Sequence, residues 1–500
     1  VGVKIWIAAV LIGLAGCSPS GGGGGAAQPA GVTAEALRSA VSDSRVRRFY
    51  EARDWAPAWN EDQARVLTEA FGGANRHALD PRLYLDPVEQ ATAPAAREAA
   101  LSLAAIQYAE ALAQGRVDPT RLGRPYTLPR PEVDVAAGLA RAVEGNDVAD
   151  WLARLAPQDG DYRLLSEAYL QAVRQTARPA PVPAGQPIRP GSSDPRVGAL
   201  AAALAAAGYY QPPPQSRAPT RYGPELVAGV RALQQDYGLT ASGLIGEATL
   251  AALNDSAQDR ARTLAVNLER RRWLAREAPE TRIDVNIAAA ELSYWRDGAL
   301  ANRRRAVVGE PGNETPQLGS PMFRLVANPT WTVPRSIQRE EIEPQGAAYL
   351  ARNNMEMRDG WVVQKSGPRN SLGLVKFDMR NEHAIYLHDT PAKALFGEDL
   401  RLSSHGCVRV DDALGFAAML AADQGVTSQW DEARATGEEG FVPLPRAIPV
   451  RLLYQTAFVD GGRIRYRLDA YGWDNDVARA LGLANRPRFE FVNRRRDLGP

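Results

Sequence analysis

The chain has 500 residues, too many for one ordinary domain at about 100–200 residues each and enough to bury more than one core. Its 59 basic and 58 acidic residues nearly cancel to a formal charge of +1, which argues against nucleic acid as a partner. Two cysteines and four scattered histidines lack the paired spacing of a metal site, and there is no Gly-rich phosphate loop, so neither a metal nor another cofactor is expected.

Residues 1–17 hold one basic residue, Lys4, and an apolar run from Ile5 to Leu14. That run is too short for a bilayer-spanning helix of about 20 residues and suits a signal-peptide core. It ends Leu14-Ala15-Gly16-Cys17, which resembles a bacterial lipobox, with cleavage before Cys17 and lipidation of its sulfur. By the same resemblance, Ser18 after the cysteine implies sorting to the outer membrane. The expected location is therefore the periplasmic side of that membrane, with acyl chains holding the protein to one leaflet. A flexible tether, 18–32, follows and includes the glycines at 21–25. In an oxidising compartment, acylation of Cys17 would leave Cys407 with no thiol to mispair with.

Residues 33–176 read as mainly helical. Leu101, Ala105, Tyr108 and Leu112 recur at helical spacing and Gly115 is a natural stop. Phe49, Tyr50, Trp55 and Trp59 read as core. The Pro- and Ala-rich stretch 177–193 reads as a semi-extended linker. A three-helix unit is expected over 194–255, with Asp194 as cap and Pro195 at the first helical position. Val197, Leu200 and Leu204 form one stripe, ended by Gly208; Leu226, Val230, Leu233 and Tyr237 form another, ended by Gly238. Residues 256–281 read as a connecting helix.

From about residue 282 the period changes. Ile283, Val285 and Ile287 alternate with polar residues, as strands do, and strand behaviour recurs through a domain expected to end near 480. Residues 342–365 break the alternation and read as helical or loop-like. Asp411 is expected to cap a helix carrying Leu414, Ala417 and Leu420. A polar interval over 424–440 precedes an expected hairpin of 450–454 and 464–468 around Asp460-Gly461-Gly462. Residues 481–500 read as a tail. The arginine runs at 270–272, 303–305 and 494–496 read as solvated faces. The fold class expected is multidomain α+β.

The densest chemistry lies between His388 and Cys407. Leu387-His388-Asp389-Thr390 is followed by an interval and then Ser403-Ser404-His405-Gly406-Cys407-Val408-Arg409-Val410. A free thiol has a pKa of about 8.5, so at neutral pH it needs a base or a nearby positive charge to act as a nucleophile. A merely space-filling cysteine rarely has Ser, His and Gly on one side and Arg on the other. Strand alternation puts Tyr386 and His388 on one face, with His388 at a strand end beside a cleft. It also puts Cys407 and Arg409 on one face, with Val408 and Val410 toward the core. His383 reads as an ordinary surface residue.

This segment resembles the catalytic motif of the L,D-transpeptidases, the YkuD-type domain: a His, an interval, then S-H-G-C-hydrophobic-R. The resemblance implies Cys407 as nucleophile, His388 as base, His405 assisting, and the N–H groups of Gly406 and Cys407 as oxyanion donors. It implies an orienting partner for His388 in a backbone carbonyl near Asp389, with the Asp389 side chain as the alternative. Substrate-binding candidates are Arg409, Ser404, Tyr386, Trp331 and Asn370. Arg409 would either brace the loop or meet a substrate carboxylate, and Trp331 would either wall the donor site or sit in the core.

Further matches extend the resemblance to the large, YcbB-like branch of the family. Leu79-Asp80-Pro81 with Tyr84, Gly115-Arg116, and Pro157 with Tyr162 and Leu165 resemble its N-terminal scaffold domain. Leu233-Gln234, Gly238-Leu239, Gly243, Gly246, Thr249 and Leu253 resemble a peptidoglycan-binding domain. Thr315-Pro316, Asn328-Pro329-Thr330-Trp331 and Asn370-Ser371-Leu372-Gly373 continue the match in the catalytic domain, with 342–365 as its lid insertion. The implied layout is scaffold 33–176, peptidoglycan-binding-like 194–255 and catalytic 282–480. The implied activity is thioester formation with a peptidoglycan tetrapeptide stem, loss of D-alanine, and transfer to an amine of a second stem as a 3→3 crosslink. Carbapenem β-lactams are the implied inhibitors. Trimming of peptidoglycan, release or anchoring of a lipoprotein, and non-catalytic wall binding are the alternatives.

Overall fold

The computed structural model describes residues 32–214, 217–487 and 489–490. Cys17 and the arginines at 494–496 lie outside the described residues. Among those described, no helix is long and apolar enough to cross a membrane.

The N-terminal unit is a bundle organised on the helix Pro94–Gln114, which opens on proline at its first turn and stops at Gly115. Leu101, Ala105, Tyr108 and Leu112 are all buried along it. Phe49, Tyr50 and Trp59 join that core, and Trp55 packs against it.

The helix Ala257–Trp273, fixed by a reciprocal Ser256–Asp259 cap, is the hub of the molecule. Ala261, Leu264 and Leu268 enter the scaffold core, whereas Val266 and Trp273 pack with Leu453, Val477 and Tyr126. Being covered on all sides, it buries two of the three arginines expected in solvent. Arg272 lies 2.5 Å from Glu269 and donates to the Tyr162 hydroxyl at 2.9 Å; Arg270 lies 2.5 Å from Asp474. Such charges are tolerable in the interior because each is paired and hydrogen-bonded. Arg303, Arg304 and Arg305 keep to the rim, paired with Asp460, Asp412 and Asp411.

The small helical unit comprises Val197–Ala206, Pro224–Asp236 and Glu247–Leu253. Its first helix starts two residues later than expected. Asp194 takes the Arg196 N–H at 2.9 Å, so the expected cap builds a turn ahead of the helix rather than the helix end itself. The unit is docked on the C-terminal domain: Asp236 pairs with Arg465, Tyr237 stacks on Tyr466 at 5.5 Å, and Thr240 donates its N–H to Asp399 at 2.8 Å.

The C-terminal domain is built on strands β1 Arg282–Asn286, β2 Glu291–Arg296, β3 Ala299–Gly309 and β4 Gly319–Ala327. The chain continues through β5 Trp331–Thr332, β6 Met355–Arg358, β7 Trp361–Gln364, β8 Val375–Met379 and β9 Leu387–His388. It ends with β10 Leu402–Ser404, β11 Val408–Val410, β12 Gly440–Leu453, β13 Ala457–Asp460 and β14 Arg463–Tyr466. The main sheet runs β10-β3-β11-β9-β8-β4-β12-β1-β2, and β2 also pairs with β3, so the sheet closes on itself. The helix Ala413–Gln424 packs Phe416, Ala417, Leu420 and Ala421 into its core.

Four local expectations are corrected. Residues 450–453 belong to the long central strand β12, paired to β1 and β4, and the closing hairpin is β13–β14. The interval 424–440 contains the helix Thr427–Ala435, whose Trp430 is wholly buried. The cap of Ala413–Gln424 is Asp412, one residue beyond Asp411, because only its carboxylate reaches the Gly415 N–H. The insertion is not only helix and loop: β6 and β7 form a hairpin and β5 joins it as a third strand.

Candidate active site

The core strands position the site. In the parallel β9–β11 pair, His388 stands opposite Arg409 and Leu387 opposite Val408. Partners opposite each other share a face and the faces alternate along a strand. His388 and Arg409 therefore face one way, while Leu387, Val408 and Val410 enter the core; Cys407, just ahead of β11, borders that core and lies close to Tyr386 and Arg409. The antiparallel β8–β9 pair adds Lys376 opposite His388, with its ammonium 4.4 Å from the centre of the Tyr386 ring. The Tyr386 and His388 rings meet edge to face at 5.6 Å.

His388 is fully buried, and its Nδ1 lies 2.5 Å from the Asp389 carbonyl oxygen. Of the two orienting partners left open, the structure shows the carbonyl. The Asp389 carboxylate is turned elsewhere, taking the Leu374 N–H at 2.9 Å and pairing with Lys393. Gly373 permits this approach, because a Cβ there would sit 2.2 Å from the Asp389 carboxylate. With its proton on Nδ1, the ring keeps Nε2 as its basic nitrogen.

Cys407 is 5% exposed, and its thiol donates to the Ala384 carbonyl at 3.7 Å. Burial pushes the thiol up to about 11, offset in part by hydrogen bonds with Tyr386 and by the charges of Lys376 and Arg409. Burial also drives the Tyr386 hydroxyl well above its usual range, with the neighbouring Cys407 adding to it. In this closed arrangement the sulfur is a neutral thiol at neutral pH, and a base must take its proton.

The loop before Cys407 is tied tightly. Gly406 has φ +112°, which glycine adopts without strain. Its N–H donates to the Ser404 hydroxyl at 3.2 Å, and that hydroxyl donates to the Cys407 carbonyl at 2.5 Å. In this arrangement the Gly406 N–H is used inside the loop, and the Ser404 hydroxyl, expected beside substrate, braces that loop. The Cys407 N–H has no hydrogen-bond partner among the described residues.

Two other expected contact residues are buried within the domain. Asn370 is buried, donating to the carbonyls of Pro329 and Lys365 and accepting from the Leu372 N–H at 2.7 Å. Trp331 is buried in the insertion's own cluster with Val333, Ile337, Ile342, Met355 and Val362, against Tyr386. Arg409 is fully buried beside the thiol. His383 is exposed and outside the cluster.

His405 is only partly buried, and its Nε2 lies 2.6 Å from a carboxylate oxygen of Glu341, the residue just ahead of the insertion. The sequence offered no signal for this partner, 64 residues away. The pair ties the insertion to the loop that carries Cys407. A partly exposed pair of this kind is worth about 1 kcal/mol. Glu341→Ala is accordingly expected to speed alkylation of Cys407 by iodoacetamide roughly fivefold, followed as adduct mass against time. An unchanged rate would mean that the pair does not hold the site closed.

Comparison with known proteins agrees with this geometry. Residues 280–428 match the family model of the L,D-transpeptidase catalytic domain, a span that contains both His388 and Cys407. Residues 44–168 match a scaffold domain, and residues 193–253 match a peptidoglycan binding domain. A Haemophilus influenzae protein named as an L,D-transpeptidase is 31% identical over 223 residues, covering 39% of this chain and 45% of that protein. The chain thus spans about half the length of that curated relative. Among solved structures, an L,D-transpeptidase from Stackebrandtia nassauensis aligns at 16% identity and TM-score 0.23, over 57% of this chain and 100% of that one. One from Xylanimonas cellulosilytica aligns at 18% identity and TM-score 0.19, over 54% and 98%. The assignment rests on the three family models. Together they identify the chain as one that carries an L,D-transpeptidase catalytic domain of the YkuD type beside a scaffold domain and a peptidoglycan-binding domain.

Proposed function

We propose that this protein is an L,D-transpeptidase acting on peptidoglycan stem peptides through a Cys407 thioester. The observation that carries the reading is the pairing of β9 with β8 and β11, which brings together the thiol, an imidazole with Nδ1 held by a carbonyl, and Lys376. In this reading His388 Nε2 takes the thiol proton, and the Cys407 sulfur attacks the carbonyl between the third and fourth residues of a tetrapeptide stem. The negative charge gathers on that carbonyl oxygen, facing the Cys407 N–H. The C–N bond then breaks, His388 returns the proton to the departing D-alanine amine, and a thioester remains. An amine of a second stem attacks it, loses a proton to His388 and releases the sulfur, closing a 3→3 crosslink without ATP.

Burial of the thiol suits a donor that must be sealed from water before its thioester meets an amine. The same reading places the protein on the periplasmic side of the outer membrane, held by acyl chains on Cys17. Its support is the Leu14-Ala15-Gly16-Cys17 motif. Carbapenems would acylate the same sulfur.

The test is purified protein with a defined disaccharide-tetrapeptide, read by mass spectrometry. The expected products are D-alanine, an acyl-enzyme and a crosslinked dimer. Tripeptide without dimer would replace the transpeptidase by a hydrolase. No acyl-enzyme and no turnover would leave wall binding alone.

A further inference from the structure

The Thr315 side chain is buried with no exposure, and its hydroxyl sits between two main-chain groups of the catalytic domain. It accepts the Gly309 N–H at 2.9 Å and donates its own proton to the Gly406 carbonyl at 2.8 Å. A hydroxyl has one proton to give, and this one gives it to the peptide that joins Gly406 to Cys407. In a trans peptide the carbonyl and the N–H point in opposite directions. Holding the Gly406 oxygen therefore fixes the direction of the Cys407 N–H.

Among the described residues that N–H has no partner, whereas the Gly406 N–H is spent on the Ser404 hydroxyl. Gly406 itself, at φ +112°, gives the peptide plane little resistance to rotation, so an external hold is needed. Thr315 is in turn braced by Tyr471. The Tyr471 hydroxyl accepts the Thr315 N–H at 3.3 Å and donates to the Gly309 carbonyl. Tyr471 is buried and stacks on Tyr454 at 5.4 Å.

We infer that Thr315 is a positioning residue for the oxyanion, locking the Gly406–Cys407 peptide so that the Cys407 N–H faces the carbonyl under attack. This rests on the transpeptidase reading. Thr315 touches no substrate, and its effect passes through one main-chain donor.

An oxyanion donor is worth about 10²–10³ in rate, so a donor that is loosened but still present should cost roughly 10- to 100-fold. Thr315→Val keeps the volume and removes the hydroxyl; Thr315→Ser keeps the hydroxyl. Two rates are measured on each: acyl-enzyme formation with the tetrapeptide donor, and alkylation of Cys407 by iodoacetamide. Alkylation needs the thiolate but forms no oxyanion. The expected result is acylation about 10- to 100-fold slower in Thr315→Val, restored in Thr315→Ser, with alkylation within about twofold of wild type throughout.

Acylation at the wild-type rate in Thr315→Val would overturn the inference. So would a parallel fall in both rates, which would place the effect on the thiol or the fold. Should Thr315→Val fail to fold, Tyr471→Phe carries the same pair of measurements, with a several-fold loss of acylation alone expected and no loss overturning it. A wild-type protein that alkylates normally but never forms an acyl-enzyme would instead overturn the transpeptidase reading, and this inference with it.

Discussion

Cys407→Ala is expected to abolish acyl-enzyme formation, with no adduct seen by intact mass and no crosslinked dimer in the product mixture. A thioester needs the sulfur, and the described residues hold no other cysteine to replace it. The fold should survive the change. Cys407 lies in a cluster that includes Ile385, Val408 and Ala413, where alanine leaves a small gap, and the Ala384 carbonyl and Tyr386 lose only the weak hydrogen bonds of a thiol. Loss of one buried heavy atom costs about 1 kcal/mol, so denaturant midpoints should shift little while activity disappears. The contrast is the informative part, because loss of activity with loss of fold would say nothing about chemistry. A Cys407→Ala protein that still formed dimers at the wild-type rate would put the nucleophile elsewhere.

How much of this was legible from residues alone depends on the range of the interaction. The opposed faces of Val408 and Arg409 follow from period-two alternation, and so do those of Leu387 and His388, because a strand fixes those directions locally. The buried stripes of the helices Pro94–Gln114 and Pro224–Asp236 follow from the 3.6-residue period in the same way. The hairpin of the insertion was also available. Asp359-Gly360 has both residues at positive φ, as a tight hairpin turn requires, and the dipeptide is a strong turn signal. It was obscured by the short strands on either side. Partners distant in sequence left no trace. Nothing near Glu341 announces His405, nothing near Thr315 announces Gly406, and an arginine run looks the same whether bathed in water or paired inside a hub helix. Ser404 and Asn370 show the converse. A polar residue beside a catalytic motif invites a substrate role, yet here each satisfies main-chain groups that folding would otherwise bury unpaired.

His388→Ala should lower acyl-enzyme formation by about 10²–10⁴ at neutral pH, the range lost with a positioned base. His388→Gln, closer in volume, should lose as much, which separates loss of the base from loss of packing. The pH dependence of the residual rate is the sharper readout. Burial holds the Cys407 thiol up at about 11, so without His388 only solvent can take its proton. A raised acid pKa keeps the group protonated, and the thiolate fraction then grows as pH rises. Between about pH 7 and pH 9 that growth is roughly tenfold per unit, since the whole window lies below the folded value. The variant should therefore recover steeply with pH, while the wild type, supplied with an internal base, should rise far less over the same window. If the variant and wild-type profiles ran parallel, His388 would be a packing residue and the proton would leave the sulfur by another route.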